Sequence, residues 1–155
     1  MTADLIMTIY GLFAFVIGLC IGSFAQLCID RWPHDHSVIT PRSHCSTCGE
    51  QVRARDNVPV VSWLLLRGKC RFCATAIPAQ SPLTELLFGL LAVLMYRRIF
   101  DSPLDFDAAH IAAFWVYFVF VGALVVGALI DLKHYILPDE VTIYAAPVGL
   151  ASIWL

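Results

Sequence analysis

The sequence is poor in charge. Only 14% of its 155 residues are Asp, Glu, Lys or Arg, whereas soluble proteins average about 25%. The net charge of −2 at pH 7 gives no sign of the basic excess that nucleic-acid binding requires. Apolar residues make up 59% of the chain and its mean hydropathy is +0.77. This composition argues against a soluble globular domain, a disordered segment, a collagen-like chain and a disulfide-stabilised miniprotein, and it predicts an integral membrane protein.

Two runs of the chain carry no charged residue and are long enough to cross a bilayer, which takes about 20 apolar residues. The first extends from Leu5 to Ile29, and the second from Ile111 to Ile130. A cleaved secretory signal would have a basic N-terminal region and a shorter apolar core, whereas only Asp4 precedes the first run. Both runs therefore predict retained transmembrane helices.

Two further apolar segments predict one more span and part of another. Between Pro82 and Phe100 the fully apolar core, Leu86 to Tyr96, is shorter than a crossing. The flanking Arg97 and Arg98 can extend their long side chains toward the headgroups, so we still expect a span there. Residues 141–155 are apolar throughout but are also too short for a complete crossing. The sequence thus predicts an all-α polytopic membrane protein with three to four transmembrane helices.

The basic residues are unevenly distributed between the loops. Seven lie between residues 31 and 81, whereas the loop from 97 to 110 carries two beside three aspartates. Because cytoplasmic loops are enriched in Lys and Arg, we expect the larger loop on the cytoplasmic side. Two further crossings would return the chain to that side at Asp131. The sequence therefore predicts that the large loop and Asp131 share the cytoplasmic face.

Four of the six cysteines form two Cys-x-x-Cys pairs. They are Cys45 with Cys48 and Cys70 with Cys73, and residues 49–69 separate the pairs. Two such turns can direct four thiolates at one tetrahedral ion, and this spacing is typical of a structural zinc site. A redox dithiol or two disulfides remain as alternatives, although cytoplasmic thiols are kept reduced. A loop of this size is too small for a strong core of its own, so bound zinc would supply much of its folding energy.

Small residues in the first apolar run favour close helix packing. Gly18 and Gly22 form a Gly-x-x-x-Gly pattern, which lets membrane helices approach closely, although the pattern also arises by chance in apolar sequence rich in small residues. Cys20 and Cys28 lie in the same run, and we expect both to be small buried apolar residues.

Three carboxylates lie near the ends of apolar segments. Asp131 directly follows Ile130, so it is either a functional group at the membrane edge or a simple helix terminus. Asp139 follows Pro138 and fits a helix start, and Glu85 fits the cytoplasmic rim of its span. These residues leave three hypotheses: an aspartic-type hydrolase at the membrane face, a non-enzymatic adaptor that displays a zinc ribbon to a cytoplasmic partner, and a transporter that uses Asp131 for protons.

Five segments, taken in order, carry a family pattern between about Gly18 and Leu150. They are GSFAQLCIDRWP (22–33), SHCSTC (43–48), RDNVPVVSWLLLRGKCRFC (55–73), PLTELL (82–87) and IDLKHYILPD (130–139). Together they resemble the type IV prepilin peptidase family of bifunctional leader peptidases and N-methyltransferases. Gln26, Ser46 and Ser81 stand where the family usually has Asn, Pro and Tyr.

This resemblance implies an aspartic endopeptidase of the bacterial inner membrane, with prepilins and pseudopilins as substrates. The enzyme would remove a short basic leader at the cytoplasmic face and then methylate the new N-terminus with S-adenosylmethionine. By the same resemblance Asp131 is the first catalytic aspartate. We expect three parts in the chain: a first transmembrane helix over residues 1–30, the zinc-binding loop over 31–81, and further helices over 82–155.

The family's second catalytic aspartate, in a Gly-x-Gly-Asp motif, has no counterpart in the 155 residues. Aspartic hydrolysis needs two carboxylates that share one proton. Asp139 is a poor partner, because it lies eight residues from Asp131 and about 80° around an ideal helix from it. We therefore expect the intact enzyme to be longer, and residues 1–155 alone to be inactive unless another chain supplies the second aspartate. The alternative is a non-catalytic or split-enzyme membrane adaptor.

Overall fold

The computed structural model describes residues 3–135 and 139–151, without the side chains of residues 140, 144, 145 and 151. Every regular element within these ranges is helical, and no strand occurs in them. The helices are α1 (Ala3–Arg31), α2 (Val61–Leu65), α3 (Gln80–Ile99), α4 (Ala108–His134) and α5 (Asp139–Ala151), and 3₁₀ turns lie at Trp32–His34, Ala54–Asp56 and Pro103–Asp105. The prediction of an all-α fold with an inserted cysteine loop is confirmed.

Helices α1 and α3 pack along a seam of small residues. A methyl group added to Gly18 would lie 2.6 Å from the carbonyl oxygen of Phe88 and 2.8 Å from the Cα atom of Gly89. One added to Gly22 would lie 2.7 Å from the Cα atom of Glu85. Because these neighbours are backbone atoms, which cannot move aside as a side chain can, only glycine permits this approach. The close packing predicted for this face of α1 is confirmed, with α3 as its partner.

Helix α4 packs its aromatic residues against α3. The ring of Phe118 meets the ring of Phe88 edge-on, with the ring centroids 6.2 Å apart. Phe118 and Ile130 are fully buried, as is Cys28 of α1. The expectation for Cys28 is therefore confirmed, but the one for Cys20 is wrong, because its side chain is exposed. Cys20 lies midway between the two seam glycines, about 200° around the helix from either of them, and so is turned away from α3.

Helices α1 and α4 are long and apolar enough, by length and composition, to cross a membrane. The mean hydropathy of their most apolar windows is 2.3 and 2.4, and only 17% and 33% of these windows are buried inside the protein. The core helix of a soluble protein would be mostly buried. Such extensive exposed apolar surface on both helices favours contact with lipid.

The third predicted span and the predicted partial span are shorter than α1 and α4, and the third also carries charge. Helix α3 has 20 residues but includes Glu85, Arg97 and Arg98, and on average it is less apolar than α1 and α4. Helix α5 has 13 residues, and the part of the predicted segment 141–155 after residue 151 lies outside the described residues. That α3 crosses the membrane, and that the segment of α5 forms part of a further span, stay predictions.

The C-terminal ends of α1 and α4 lie side by side. The Nζ atom of Lys133 is 3.3 Å from Oδ1 of Asp30, and the ring of His134 meets that of His34 edge-on, with the centroids 5.5 Å apart. Asp131 is in the last turn of α4, at the end of the bundle where the cysteine loop leaves α1. This packing agrees with the prediction that the loop and Asp131 share one side.

Asp131 and Asp139 belong to different helices. Helix α4 ends where Tyr135 adopts a left-handed conformation (φ 56°) and donates its N–H to the carbonyl oxygen of Asp131 at 2.8 Å. Helix α5 begins at Asp139, at the predicted helix start, whereas Pro138 lies outside the described residues. The two carboxylates therefore do not follow the spacing of one continuous helix.

Candidate functional site

The cysteines lie in two turns, residues 44–51 and 69–76, which we call the first and second cysteine turns. An antiparallel bridge between its first and last residues closes each turn. In the first cysteine turn, the N–H of Cys45 donates to the carbonyl oxygen of Glu50 at 2.9 Å. The N–H of Gly49 donates to the carbonyl oxygen of Cys45, also at 2.9 Å.

The second cysteine turn repeats these hydrogen bonds. The N–H of Cys70 donates to the carbonyl oxygen of Thr75 at 2.8 Å, and the N–H of Ala74 donates to that of Cys70 at 3.0 Å. The residue that follows the second cysteine is left-handed in both turns, with φ 71° at Gly49 and φ 57° at Ala74. The same local geometry thus forms around both Cys-x-x-Cys pairs.

The four cysteine sulfur atoms converge on one point between the turns. All of them lie within 4.8 Å of one another, and the Sγ atoms of Cys45 and Cys73 are 3.7 Å apart. A tetrahedral zinc ion with metal–sulfur bonds of about 2.3 Å would hold its ligands about 3.8 Å apart, so these separations fit such an ion. Among the described residues, no other group of three or more His, Cys, Asp or Glu side chains converges in this way. The cluster, formed with Cys48 and Cys70, could bind a metal ion.

Hydrogen bonds favour the thiolate form at two of these sulfurs. The backbone N–H groups of Cys48 and Thr47 lower the pKa of the Cys45 thiol. The hydrogen bond with the hydroxyl group of Thr75, whose Oγ1 is 3.3 Å from the sulfur, lowers the pKa of Cys73 to about 6. Because metals bind the thiolate, both effects favour coordination, whereas desolvation and the neighbouring cysteine side chains raise the pKa of Cys48.

Two contacts tie the second cysteine turn to the segment before α2. The guanidinium of Arg71 donates two hydrogen bonds to the carboxylate of Asp56, from Nε at 2.8 Å and from Nη2 at 2.5 Å. These bonds hold the pKa of Asp56 below its usual range. The guanidinium carbon of Arg53 lies 5.0 Å from the ring centroid of Phe72, as in a cation–π contact. The position of the four-cysteine cluster is thereby coupled to the 3₁₀ turn at residues 54–56.

Buried polar side chains continue the α1–α3 seam toward the cysteine loop. The hydroxyl group of Thr84 donates to Oε1 of Gln26 at 2.8 Å, and Nε2 of Gln26 donates to Oδ2 of Asp30 at 3.0 Å. The neighbouring carboxylate, Glu85, is buried and accepts a hydrogen bond at 2.6 Å from the backbone N–H of Val60 in the loop.

The prediction that Glu85 marks the cytoplasmic rim of its span does not include this network. One feature of the sequence could have indicated the network: Gly18, Gly22 and Gln26 recur every four residues on one face of α1. That series predicts that Gln26 lies in the same seam as the two glycines, where a buried amide needs a polar partner.

Asp131 has an exposed side chain at the loop end of the bundle. In α4 it is followed by Lys133, which forms the ion pair with Asp30, and by His134, whose Nε2 atom is buried without a hydrogen-bond partner in the described part of the chain. Asp131 and the loop that carries the four cysteines thus lie at the same end of the helix bundle. The catalytic role of Asp131 stays a prediction.

Comparisons with known proteins agree with the sequence pattern. The family model of the bacterial peptidase A24 N-terminal domain matches residues 16–99. The chain is 41% identical over 143 residues to the prepilin leader peptidase/N-methyltransferase of Myxococcus xanthus (strain DK1622), which covers 92% of this chain and 40% of that protein. It is 35% identical over 159 residues to the type 4 prepilin-like proteins leader peptide-processing enzyme of Escherichia coli O78:H11 (strain H10407 / ETEC), covering 91% and 56% respectively.

No solved structure matches the chain. A third relative, the prepilin leader peptidase/N-methyltransferase of Dichelobacter nodosus, is 36% identical over 116 residues, which are 75% of this chain and 37% of that protein. The chain therefore spans between 37% and 56% of the length of these relatives. The family match extends over more than half of the chain and includes both cysteine turns, and the chain belongs to the family of the bacterial peptidase A24 N-terminal domain, as its resemblance to the type IV prepilin peptidases predicted.

Proposed function

We propose that this chain forms part of a membrane aspartic endopeptidase that removes the leader peptides of type IV prepilins and related pseudopilins and then methylates the new N-terminus. The similarity to the M. xanthus prepilin leader peptidase/N-methyltransferase along 92% of the chain carries this proposal. The chain spans 40% of that relative, so the activity belongs to an assembly that contains more than these 155 residues.

Asp131 supplies one of the two carboxylates for hydrolysis. Its exposed position at the end of α4 is accessible to a leader peptide outside the membrane core. In an aspartic dyad, one carboxylate takes a proton from water as the oxygen attacks the scissile carbonyl carbon, and the protonated partner donates to the carbonyl oxygen. The tetrahedral intermediate then collapses, the C–N bond breaks, and the leaving amine takes a proton. A second carboxylate from another segment or chain completes the dyad.

The four cysteines hold a structural zinc ion. Cys45, Cys48, Cys70 and Cys73 would fill all four positions of a tetrahedral shell, which leaves no position for water or substrate. The ion would therefore fix the two cysteine turns to each other rather than take part in hydrolysis. This bracing would orient the leader peptide or support the methyl-transfer step.

The chain lies in the bacterial inner membrane, with the cysteine loop and Asp131 on the cytoplasmic side. The basic residues of the loop support this orientation, because they are retained on that side and fit an anionic lipid surface. The three parts are a first span over residues 1–30, the zinc loop over 31–81 and further helices over 82–155. The proposed partners are prepilin-like substrates and the bilayer, and S-adenosylmethionine would supply the methyl group; nucleic acid has no part.

The experiment co-expresses this chain with the part of the M. xanthus relative that it does not cover, supplied as a separate polypeptide. Membranes are incubated with a prepilin, and leader removal is followed by mass spectrometry. We expect cleavage to require both polypeptides, and Asp131→Asn to reduce its rate at least about a hundredfold because the dyad loses a proton carrier. The matched control is Asp139→Asn, which should cleave at the unchanged rate.

Wild-type cleavage by Asp131→Asn would contradict the catalytic assignment. The alternative, a non-catalytic adaptor that displays the zinc ribbon, predicts a different outcome. In that case prepilin would co-purify with the chain in a zinc-dependent manner, and no combination of polypeptides would cleave it.

A further inference from the structure

A cleft of about 410 Å³ lies where α1, the cysteine loop and the beginning of α3 meet. Its walls include Gln26 of α1, Trp63 of α2 and Glu85 of α3. This volume is within the range of small-molecule binding sites, about 300–1,000 Å³. Neither the dyad nor the four-cysteine cluster uses this cleft.

The cleft carries negative charge and no positive charge. Asp56 and Glu85 are the two carboxylates in its lining, and no Lys, Arg or His of the described residues lines it. This contrasts with the surrounding loop, since residues 31–81 hold seven of the ten Lys and Arg residues of the chain. An anionic ligand would therefore find no counter-charge in the cleft, whereas a cation would find two carboxylates.

The two carboxylates differ in whether they are already paired. Asp56 accepts two hydrogen bonds from Arg71, so its charge is compensated within the loop. Glu85 takes part in none of the ion pairs found in residues 3–135 and 139–151. It is only 8% exposed, and buried carboxylates are normally paired with a cation. Glu85 is thus the carboxylate in the lining of the cleft that has no cationic partner among the described residues.

Glu85 also holds a strained wall of the cleft in place. Val60 has φ 60° and ψ −50°, a conformation that β-branched residues rarely adopt, and its N–H donates to Oε2 of Glu85 at 2.6 Å. Strained backbone persists where the surrounding structure enforces it, and it is concentrated at ligand sites. This hydrogen bond requires only an acceptor, which a glutamine would also provide, and therefore does not explain why a carboxylate occupies this position.

An aromatic ring completes the surroundings that suit a cation. The indole N–H of Trp63 already donates to the carbonyl oxygen of Ile77 at 3.1 Å, which fixes the ring. Gly68 allows this position, because a methyl group there would lie 2.9 Å from the indole Cζ2 atom. A cation next to a fixed indole ring gains from the negative face of the π system.

We propose that this cleft binds an organic cation, with Glu85 as its counter-ion. The identity of the cation rests on the proposed function, which supplies two with the same chemistry. One is the sulfonium group of S-adenosylmethionine, and the other is the amino group of the N-terminus that cleavage exposes. Both present a positive charge on an organic group, and the cleft offers such a charge a carboxylate and an indole ring in its lining.

The test measures binding rather than catalysis. The zinc-loaded 155-residue protein in detergent micelles is titrated calorimetrically with S-adenosylmethionine, and separately with a short peptide in its free-amine and N-acetylated forms. We expect saturable binding of S-adenosylmethionine or of the free-amine peptide, and Glu85→Gln should weaken it at least about tenfold.

The glutamine introduced at position 85 can still accept the hydrogen bond from the Val60 N–H. Asp35→Asn is the matched control, since it removes a carboxylate from an exposed part of the loop outside both the cleft and the cysteine turns and should bind normally.

The outcomes separate the two sources of the cation. Glu85-dependent binding of S-adenosylmethionine makes the cleft the methyl-donor site, whereas selective binding of the free-amine peptide makes it the acceptor site. Absence of saturable binding by either, or equal affinity in Glu85→Gln, overturns the proposal. Because no probe has to be cleaved, a failure of the proposed peptidase activity leaves this measurement interpretable.

A second variant tests the proposal if Glu85→Gln reduces zinc binding or helix content. Ser81 lines the cleft four residues before Glu85 on α3, so a basic side chain there reaches the same carboxylate. Ser81→Lys should abolish cation binding while Glu85 remains. Unchanged affinity in this variant would also overturn the proposal.

Discussion

Among single residues, the position after each Cys-x-x-Cys pair shows how the chain adapts its backbone. Both positions are left-handed, but the first cysteine turn has Gly49 there and the second has Ala74. An L side chain in this conformation costs about 1–2 kcal/mol, because Cβ approaches the following carbonyl group. A methyl group on Gly49 would meet no atom within 4 Å, so only this backbone cost would apply. The two turns therefore offer a matched pair for measuring that cost.

We predict opposite effects for reciprocal substitutions at these positions. Gly49→Ala should destabilise the metal-bound loop by about 1 kcal/mol, which corresponds to about fivefold weaker zinc binding. Ala74→Gly should strengthen zinc binding by a similar or smaller factor, because the gain is partly offset by the greater freedom of glycine in the unfolded chain. Competition with a calibrated chelator measures both. Weaker binding in both variants would contradict a left-handed backbone at residue 74.

At the scale of elements, α1 combines two kinds of contact on one face. Gly18 and Gly22 allow the backbone of α3 to approach, and four residues later Gln26 meets Thr84 in a buried hydrogen bond. The sequence predicted the glycine face, because the spacing is local to one helix. The partner helix could not be predicted in the same way, since the pattern defines a face and not what packs against it.

The same difference, between spacing within one segment and contacts between distant segments, explains which parts of the candidate site could be predicted. The convergence of the four cysteines was predictable, because each turn is set by the local Cys-x-x-Cys geometry. The burial of Glu85 was not, because it depends on the loop folding back so that Val60 reaches α3, 25 residues away along the chain. The exposure of Cys20, by contrast, follows from local spacing, because Cys20 lies about 200° around α1 from the glycine face.

The α1–α3 seam should tolerate an added methyl group at Gly11 but not a larger side chain at Gly22. In Gly22→Val, atoms added within about 3 Å of the α3 backbone would force the two helices apart, and we expect a loss of at least about 1–3 kcal/mol in stability. Gly11→Ala is the control, because its methyl group would lie 3.4 Å from the ring of Tyr96, an ordinary contact distance. Thermal unfolding in detergent, followed by helical circular dichroism, compares the variants. Equal midpoints for the two would mean that α1 and α3 are not in close contact at Gly22.

At the scale of the whole molecule, the residues of α1 contact those of α3 in the reverse order along the chain. Gly22 lies against Glu85, Gly18 against Gly89, and near the start of α1 the Met7 carbonyl oxygen accepts from the hydroxyl of Tyr96 at 3.1 Å. The two helices are therefore antiparallel, and the connection between α3 and α4 lies at the far end of the bundle from the cysteine loop. With 20 residues, α3 is about 30 Å long, which equals the thickness of the hydrocarbon core. If α1 crosses the membrane, this geometry carries α3 across as well.

Three cysteines, each introduced separately at an exposed position, test this arrangement. Ile39, Leu104 and Leu132 are 82%, 91% and 76% exposed, and they lie in the cysteine loop, between α3 and α4, and at the end of α4. In a background without Cys20 and Cys28 and with zinc bound, we expect a membrane-impermeant maleimide to label Leu104→Cys in intact spheroplasts. It should label Ile39→Cys and Leu132→Cys only after permeabilisation, because α3 and α4 separate Leu104 from both.

Labelling of Ile39→Cys and Leu104→Cys from the same side would show that α3 does not cross. Labelling of Leu104→Cys and Leu132→Cys from the same side would show that α4 does not cross. Labelling of Ile39→Cys and Leu132→Cys from the outside alone would instead keep the crossings and reverse the orientation, which would move Asp131 away from any substrate presented in the cytoplasm.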